Sequence, residues 1–285
     1  MTAGVTVIGS LGSANAIHGD AEAVPERRPV GAAVELAVCL ARHGLGVEFV
    51  AGVDEPVDAP LRAPLAAEGV ELVTVEAGAD TASAEAERAS DEDPPPRLGH
   101  DWEEALLHLR RREGLVVVPD LSTSVVRAAL DPARRLAEHV SVVLAQPLDV
   151  DPHLFAQVDL CIADLAAARR LVGEDEEVHA RGVARRLLAF GPKRVIVLDR
   201  SRGGRSVHFD GVDLQAVDFA GESESGSGRV TVFAAGFIAA RVGAGARAVA
   251  ALGEGARCAA LSDAGEGAFG ALPAIAEMEA GDGSG

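Results

Sequence analysis

The chain has 285 residues, 48% hydrophobic and 25% charged, and its 44 acidic against 26 basic residues give a formal net charge of −18. That length and composition accommodate an ordinary soluble α/β domain with a sizeable core. The negative balance argues against nucleic acid and anionic membranes as partners, because a phosphate polyanion would be repelled unless a strong local basic patch existed.

"VTVIGS" (5–10) is a β-branched run ending in Gly-Ser, the form of a buried parallel strand. "GAAVELAVCLARHG" (31–44) has helical apolar spacing and a closing glycine. A strand at 47–53, a short helix at 59–69 and a strand at 70–76 complete a βαβαβ order, which favours a mostly parallel sheet covered by helices. From 76 to 104 the pattern breaks: ten acidic and two basic residues surround "DEDPPP", with almost no large apolar side chains. Such a segment buries too little surface to offset its ordering entropy, so 79–99 is expected to be a flexible loop, with Trp102 anchoring its far end onto a helix at 101–112. Strands follow at 114–119, 140–145, 158–163 and 194–199, with helices between them at 123–138, 164–172 and 178–190. "GRSVHFDGVDLQAVDF" (204–219) has the alternation and Asp-Gly turn of a hairpin. Helices at 230–242, 245–260 and 272–280 precede a frayed tail at 281–285, and the whole reads as one domain.

Cys39, Cys161 and Cys258 stand singly inside apolar runs without CxxC spacing, so they read as small buried hydrophobes in a reducing compartment rather than as zinc ligands. No export signal or spanning segment is recognisable, and a cytoplasmic location is expected. The arginine pairs and triplets at 110–112, 134–135 and 185–186 read as solvated helix faces. "GEDEE" (173–177) has the carboxylates for a hard cation but reads as a solvated charge run. No metal site is expected.

The order of elements and several phrases resemble the ribokinase (PfkB) family of sugar and nucleoside kinases. "VTVIGS" is similar to its opening strand. "GAAVELAVCLARHGLGVEFVAGVDE" is similar to the Gly-Gly-x-x-x-Asn helix and the strand after it. "VDLCIADLAAARRLVG" resembles the segment carrying Asn-x-x-Glu. "SGSGRVTVFAAGFIAARVGAG" resembles the Thr-Gly-Ala-Gly-Asp-x-Phe-x-x-Gly-Phe phosphate loop and its helix, and "GAFGALPAIAEMEA" resembles the family's ending. The resemblance implies a three-layer α/β/α fold with a mostly parallel central sheet and a reduced lid, the acidic loop taking the place of part of that lid.

In that family the loop glycines and helix N-terminus hold the transferring phosphoryl group, an aspartate after them takes the substrate proton, and Asn-x-x-Glu organises Mg²⁺. The matching anion-binding positions here are Gly226, Ser227, Gly228 and Arg229. The base position falls on Arg229 when aligned from the glycines, or on Thr231 when aligned from Phe233. Arginine stays protonated and only donates, and an unassisted threonine hydroxyl is far too weak a base. Asn-x-x-Glu becomes Asp164 and Ala167, the strand-one aspartate becomes Ala14 beside Asn15, and the sugar-gripping asparagine becomes Glu35. Asn15, Asp20, Gly31 and Glu35 are the substrate-pocket candidates.

General-base catalysis contributes about 10²–10⁴ in rate, so losing both base and metal organiser leaves little kinase activity. The leading expectation is a degenerate, pseudokinase-like relative acting as a binding, regulatory or repurposed pathway protein, with a small-molecule, anionic or protein partner and no cofactor. The alternative is an active kinase of a sugar- or nucleoside-like alcohol, using ATP and Mg²⁺, with Glu224 as a displaced base. For the loop itself, a ligand-free connection before a core helix and an anion site reinforced by Arg229 both remain open.

Overall fold

The computed structural model describes residues 2–16, 26–53, 57, 59–76, 100–148, 150–173, 178–199, 204–219 and 228–262. The chain runs β1 (Gly4–Ser10), β2 (Gly12–Ala16), β3 (Glu26–Val30), α1 (Ala32–Arg42), β4 (Gly46–Val53), α2 (Ala59–Ala67), β5 (Val70–Glu76), α3 (His100–Leu107), β6 (Arg112–Val117), α4 (Thr123–Leu130) and α5 (Ala133–Leu136). It continues through β7 (Ala137–Leu144), a 3₁₀ helix (Pro152–Gln157), β8 (Leu160–Asp164), α6 (Leu165–Val172), α7 (Ala180–Ala189), β9 (Val195–Asp199), β10 (Arg205–Phe209), β11 (Leu214–Asp218), α8 (Gly228–Val242) and α9 (Ala248–Leu261).

Nine strands form one sheet in the order β11-β10-β9-β8-β7-β6-β1-β4-β5. The seven strands from β9 to β5 pair in parallel, while β10 runs antiparallel to both β9 and β11. Strand alternation sends Val5, Val7, Phe49 and Ile162 to one face, where α1, α8 and α9 cover them. Ile8, Val50, Val117 and Cys161 face the other way, against α3, α4, α6 and α7. The result is a three-layer α/β/α fold, as expected. A separate two-stranded hairpin of β2 and β3 stands outside the main sheet. All three cysteines are free and buried, and burial pushes the thiols of Cys39 and Cys161 up to about 12. Among the described residues no helix is long and apolar enough to cross a membrane.

Several expectations need correction. The expected helix at 123–138 is two helices broken at Asp131–Pro132, and 137 already belongs to β7. Pro132 lacks a backbone donor, and extended pairing with β6 claims the residues from Ala137 on. The expected helix at 101–112 ends at Leu107, because Arg112 begins β6 and reaches Glu48 and Glu71 at 3.8 Å rather than facing solvent on a helix. Arg134 and Arg135 are exposed, as expected, Arg134 pairing with Asp159 at 3.1 Å. Trp102 is buried in the core of the second face. The strands β2 and β3 carry no apolar alternation that would have marked them. The segments 79–99 and 281–285 and the expected helix at 272–280 lie outside the described residues.

Helix α8 is apolar almost all round, and Val230, Phe233, Ala234 and Phe237 are buried against the sheet, α1 and α9. It approaches α9 so closely that a Cβ on Gly255 would lie 2.9 Å from the Phe233 carbonyl oxygen. Gly255→Val therefore has to part the two helices, and is expected to lower the unfolding free energy by about 1–3 kcal/mol, read as a lower urea midpoint. An unchanged midpoint would show that the helix pair tolerates separation.

Candidate functional site

Chain order reverses at β1, whose neighbours are β4 on one side and β6 on the other. In open α/β sheets such a reversal leaves a crevice at the carboxyl ends of the strands, where ligands bind. Ser10 ends β1 there, and Asp120 follows β6. The Ser10 backbone N–H donates to Asp120 Oδ1 at 2.8 Å and its hydroxyl donates to Oδ2 at 2.7 Å. Burial pushes the Asp120 carboxyl above the usual carboxylate range, and the two Ser10 bonds only partly oppose it.

Helix α1 enters the same edge. Its N-cap, Gly31, has φ +128°, a conformation that side-chain-bearing residues rarely adopt, and a Cβ there would lie 3.5 Å from the Ser10 carbonyl oxygen. One turn on, Glu35 receives the Thr231 hydroxyl on Oε2 at 2.8 Å. Thr231 is fully buried in the first turns of α8, so this bond ties α1 to the entrance of the helix behind the glycine loop. Burial pushes the Glu35 carboxyl upward, with the Thr231 bond pulling the other way.

The site residues expected from sequence fall into three groups. Gly31, Glu35 and Thr231 are brought to one edge. Gly228 starts α8 and Arg229 is its second residue, while Asn15 sits on β2 opposite Arg27; the side chains of Arg229 and Asn15 are not among those described. Asp20, Glu224, Gly226 and Ser227 lie outside the described residues. At the metal-organising positions, Asp164 Oδ1 accepts the Ala166 backbone N–H at 2.8 Å as the N-cap of α6, and Ala167 is buried. Among the described residues no group of three or more His, Cys, Asp or Glu could hold a metal ion. These side chains do not fit the Mg²⁺-organising pair.

Asp120 was missed in the sequence, although a carboxylate closing the buried run "VVVP" at a strand end was a readable signal. The Glu35–Thr231 bond was not readable, because it joins positions 196 residues apart.

The chain matches solved structures along nearly its whole length. A ribokinase from Thermotoga maritima shares 18% identity, with a TM-score of 0.72 over 98% of each chain. The Arabidopsis thaliana ribokinase complexed with ribose and ATP shares 16%, with a TM-score of 0.70 over 98% of each chain. A pyrophosphate-dependent kinase of the ribokinase family, complexed with a pyrophosphate analogue and myo-inositol, shares 17%, with a TM-score of 0.68 over 97% of this chain and 99% of that one. At such identities the likeness establishes the ribokinase-like fold. No family model matches the sequence, and no curated protein matches it either.

A raised carboxyl is held in the folded protein partly as the acid. Its stabilising share is fully present below the ordinary value of 3.8 and is lost as pH rises through the raised folded value. Asp120→Asn removes that loss, so the variant's urea-midpoint profile is expected to be flatter than the wild type's above pH 3.8. Parallel profiles would mean that Asp120 titrates normally.

Proposed function

We propose that this chain is a binding protein for a hydroxyl-rich small molecule on a ribokinase-like fold, with phosphoryl transfer degraded or lost. The supporting observation is the Thr231–Glu35 bond. At the helix entrance where a kinase of this fold would need a proton acceptor, Thr231 is instead a buried hydroxyl that donates its hydrogen bond to Glu35. Asp164 caps α6 through Oδ1, and Ala167 offers no side-chain oxygen, so these two positions do not supply the metal-organising pair. What the crevice does offer is a set of carboxylate and hydroxyl oxygens (Ser10, Glu35, Asp120) suited to accepting bonds from a polyol. Ribose and myo-inositol, carried by two of the similar structures, define the compound class to test.

The same bond favours one second reading. Glu35 brings a carboxylate of raised pKa to the first turns of α8, and a substrate hydroxyl displacing Thr231 would meet a proton acceptor there. In this reading the protein is an active kinase whose base comes from α1.

Calorimetric titration with ribose, myo-inositol and nucleosides, paired with an ADP-release assay in ATP and Mg²⁺, separates the two. Polyol binding without alcohol-dependent ADP release is expected. Alcohol-dependent turnover that falls about 10²–10⁴-fold in Glu35→Gln would overturn the degenerate reading in favour of the second. If no polyol binds and nothing turns over, both readings fail.

A further inference from the structure

The opposite edge of the sheet holds a second polar concavity. A cavity of about 250 Å³ lies between the C-terminal half of α8 and the amino ends of β7 and β8. Its walls come from the wrong end of the strands to belong to the Ser10–Asp120 crevice: His139 and Ser141 lie in the first five residues of β7, Leu160 starts β8, and Arg194 precedes β9.

Two buried groups on the hairpin lack partners. His208 on β10 is 2% exposed, and neither ring nitrogen has a hydrogen-bond partner. Gln215 stands directly across from it on β11, and its Oε1 is likewise buried and unpartnered. Both side chains line the cavity. Burial lowers the His208 pKa, Asp210 opposes that shift, and Arg194 and Arg241 reinforce it. A neutral imidazole has one N–H to give and one bare nitrogen to fill. Leaving such atoms unsatisfied is costly in a native protein.

Cations gather around the same space in a chain of net charge −18. Arg194, Arg241 and Arg247 all line it. Two carboxylates, Asp159 and Asp210, also line the cavity and are at least partly bonded. Asp159 meets Lys193 at 2.9 Å, Arg134 at 3.1 Å and the Val140 N–H at 3.0 Å. Asp210 Oδ1 accepts the N–H groups of Val212 and Asp213 at 3.0 and 2.8 Å. Arg241 donates to the Ala246 carbonyl, while Arg194 and Arg247 form no ion pair among the described residues.

We propose that this cavity binds a small hydroxylated anion, a phosphate monoester or a hydroxycarboxylate, at a site separate from the Ser10–Asp120 crevice. The guanidinium groups take the oxyanion, with the charge-assisted geometry that suits both carboxylate and phosphate. The bare nitrogen of His208 and the Gln215 carbonyl oxygen require donors, which the ligand's hydroxyls supply. A cavity of about 250 Å³ has room for a small organic anion rather than a single bridging water.

Calorimetry on the full chain with glycerol 3-phosphate, glycerate, inorganic phosphate and glycerol tests the site. Glycerol 3-phosphate or glycerate is expected to bind, the tighter of the two identifying the oxyanion, with inorganic phosphate weaker and glycerol silent. The exposed pair Arg194→Ala and Arg247→Ala, combined, is expected to weaken binding by about tenfold or more. The histidine ring resonance missing from His208→Phe is expected to shift on titration of the wild type. Absence of binding by both hydroxylated anions at millimolar concentration, or equal affinity in the double arginine variant, would overturn the proposal.

Discussion

The burial of α8 is the constraint on which the arrangement depends. An amphipathic helix can slide or tilt along its solvent face, but α8 has almost no such face. It is held by the sheet beneath, α1 on one flank and α9 on the other. At native packing density a displacement along its axis would lift apolar side chains from several partners together. Both ends of α8 are therefore fixed in position by the core, and both ends carry polar groups.

At the N-terminal end, the fixed axis sets where Thr231 meets Glu35. Helix α8 carries no carboxylate of its own, so the acceptor comes from α1, whose entry Gly31 places beside the end of β1. At the C-terminal end, the same rigidity carries Arg241 to the amino edge of the sheet, where the hairpin supplies His208 and Gln215. Two polar regions thus sit at opposite ends of one buried rod. The helix dipole gives them opposite backgrounds: partial positive charge at the entrance and partial negative at the exit. The arginines at the exit oppose that negative end, which makes side-chain charge the source of its attraction for anions.

The fold was legible where periodicity carried it. Parallel strands such as "VTVIGS" and "RVIVLD" are continuous apolar runs, and α1 and α8 have length and closing glycines that arbitrate between helix and strand. Legibility failed where tertiary pairing overrode local pattern. Arg112 looked like the end of a helix because nothing in its neighbours reveals Glu48 and Glu71 across the sheet. The residues 133–138 have helical spacing up to the point where β6 recruits Ala137 into the sheet. The hairpin of β2 and β3 is polar and proline-bearing, without the alternation that a strand buried on one face shows. In the candidate site, individual positions such as Glu35 and Thr231 were identifiable, but their bond was not. A contact between distant segments exists in the sequence only as two unrelated letters.

Asp120 and Glu35 are held with raised pKa values, so the fold works against their charged forms. A helix–sheet junction built only for stability would put Val or Leu there and gain from burial instead of losing to desolvation. Hydrogen bonds from Ser10 and Thr231 reduce that cost without removing it. Polar groups that a fold keeps buried at a net cost, at the reversal point of an open sheet, mark an edge suited to a ligand rather than to packing alone. The cost argues for binding at this edge whether or not a phosphoryl group is ever transferred there.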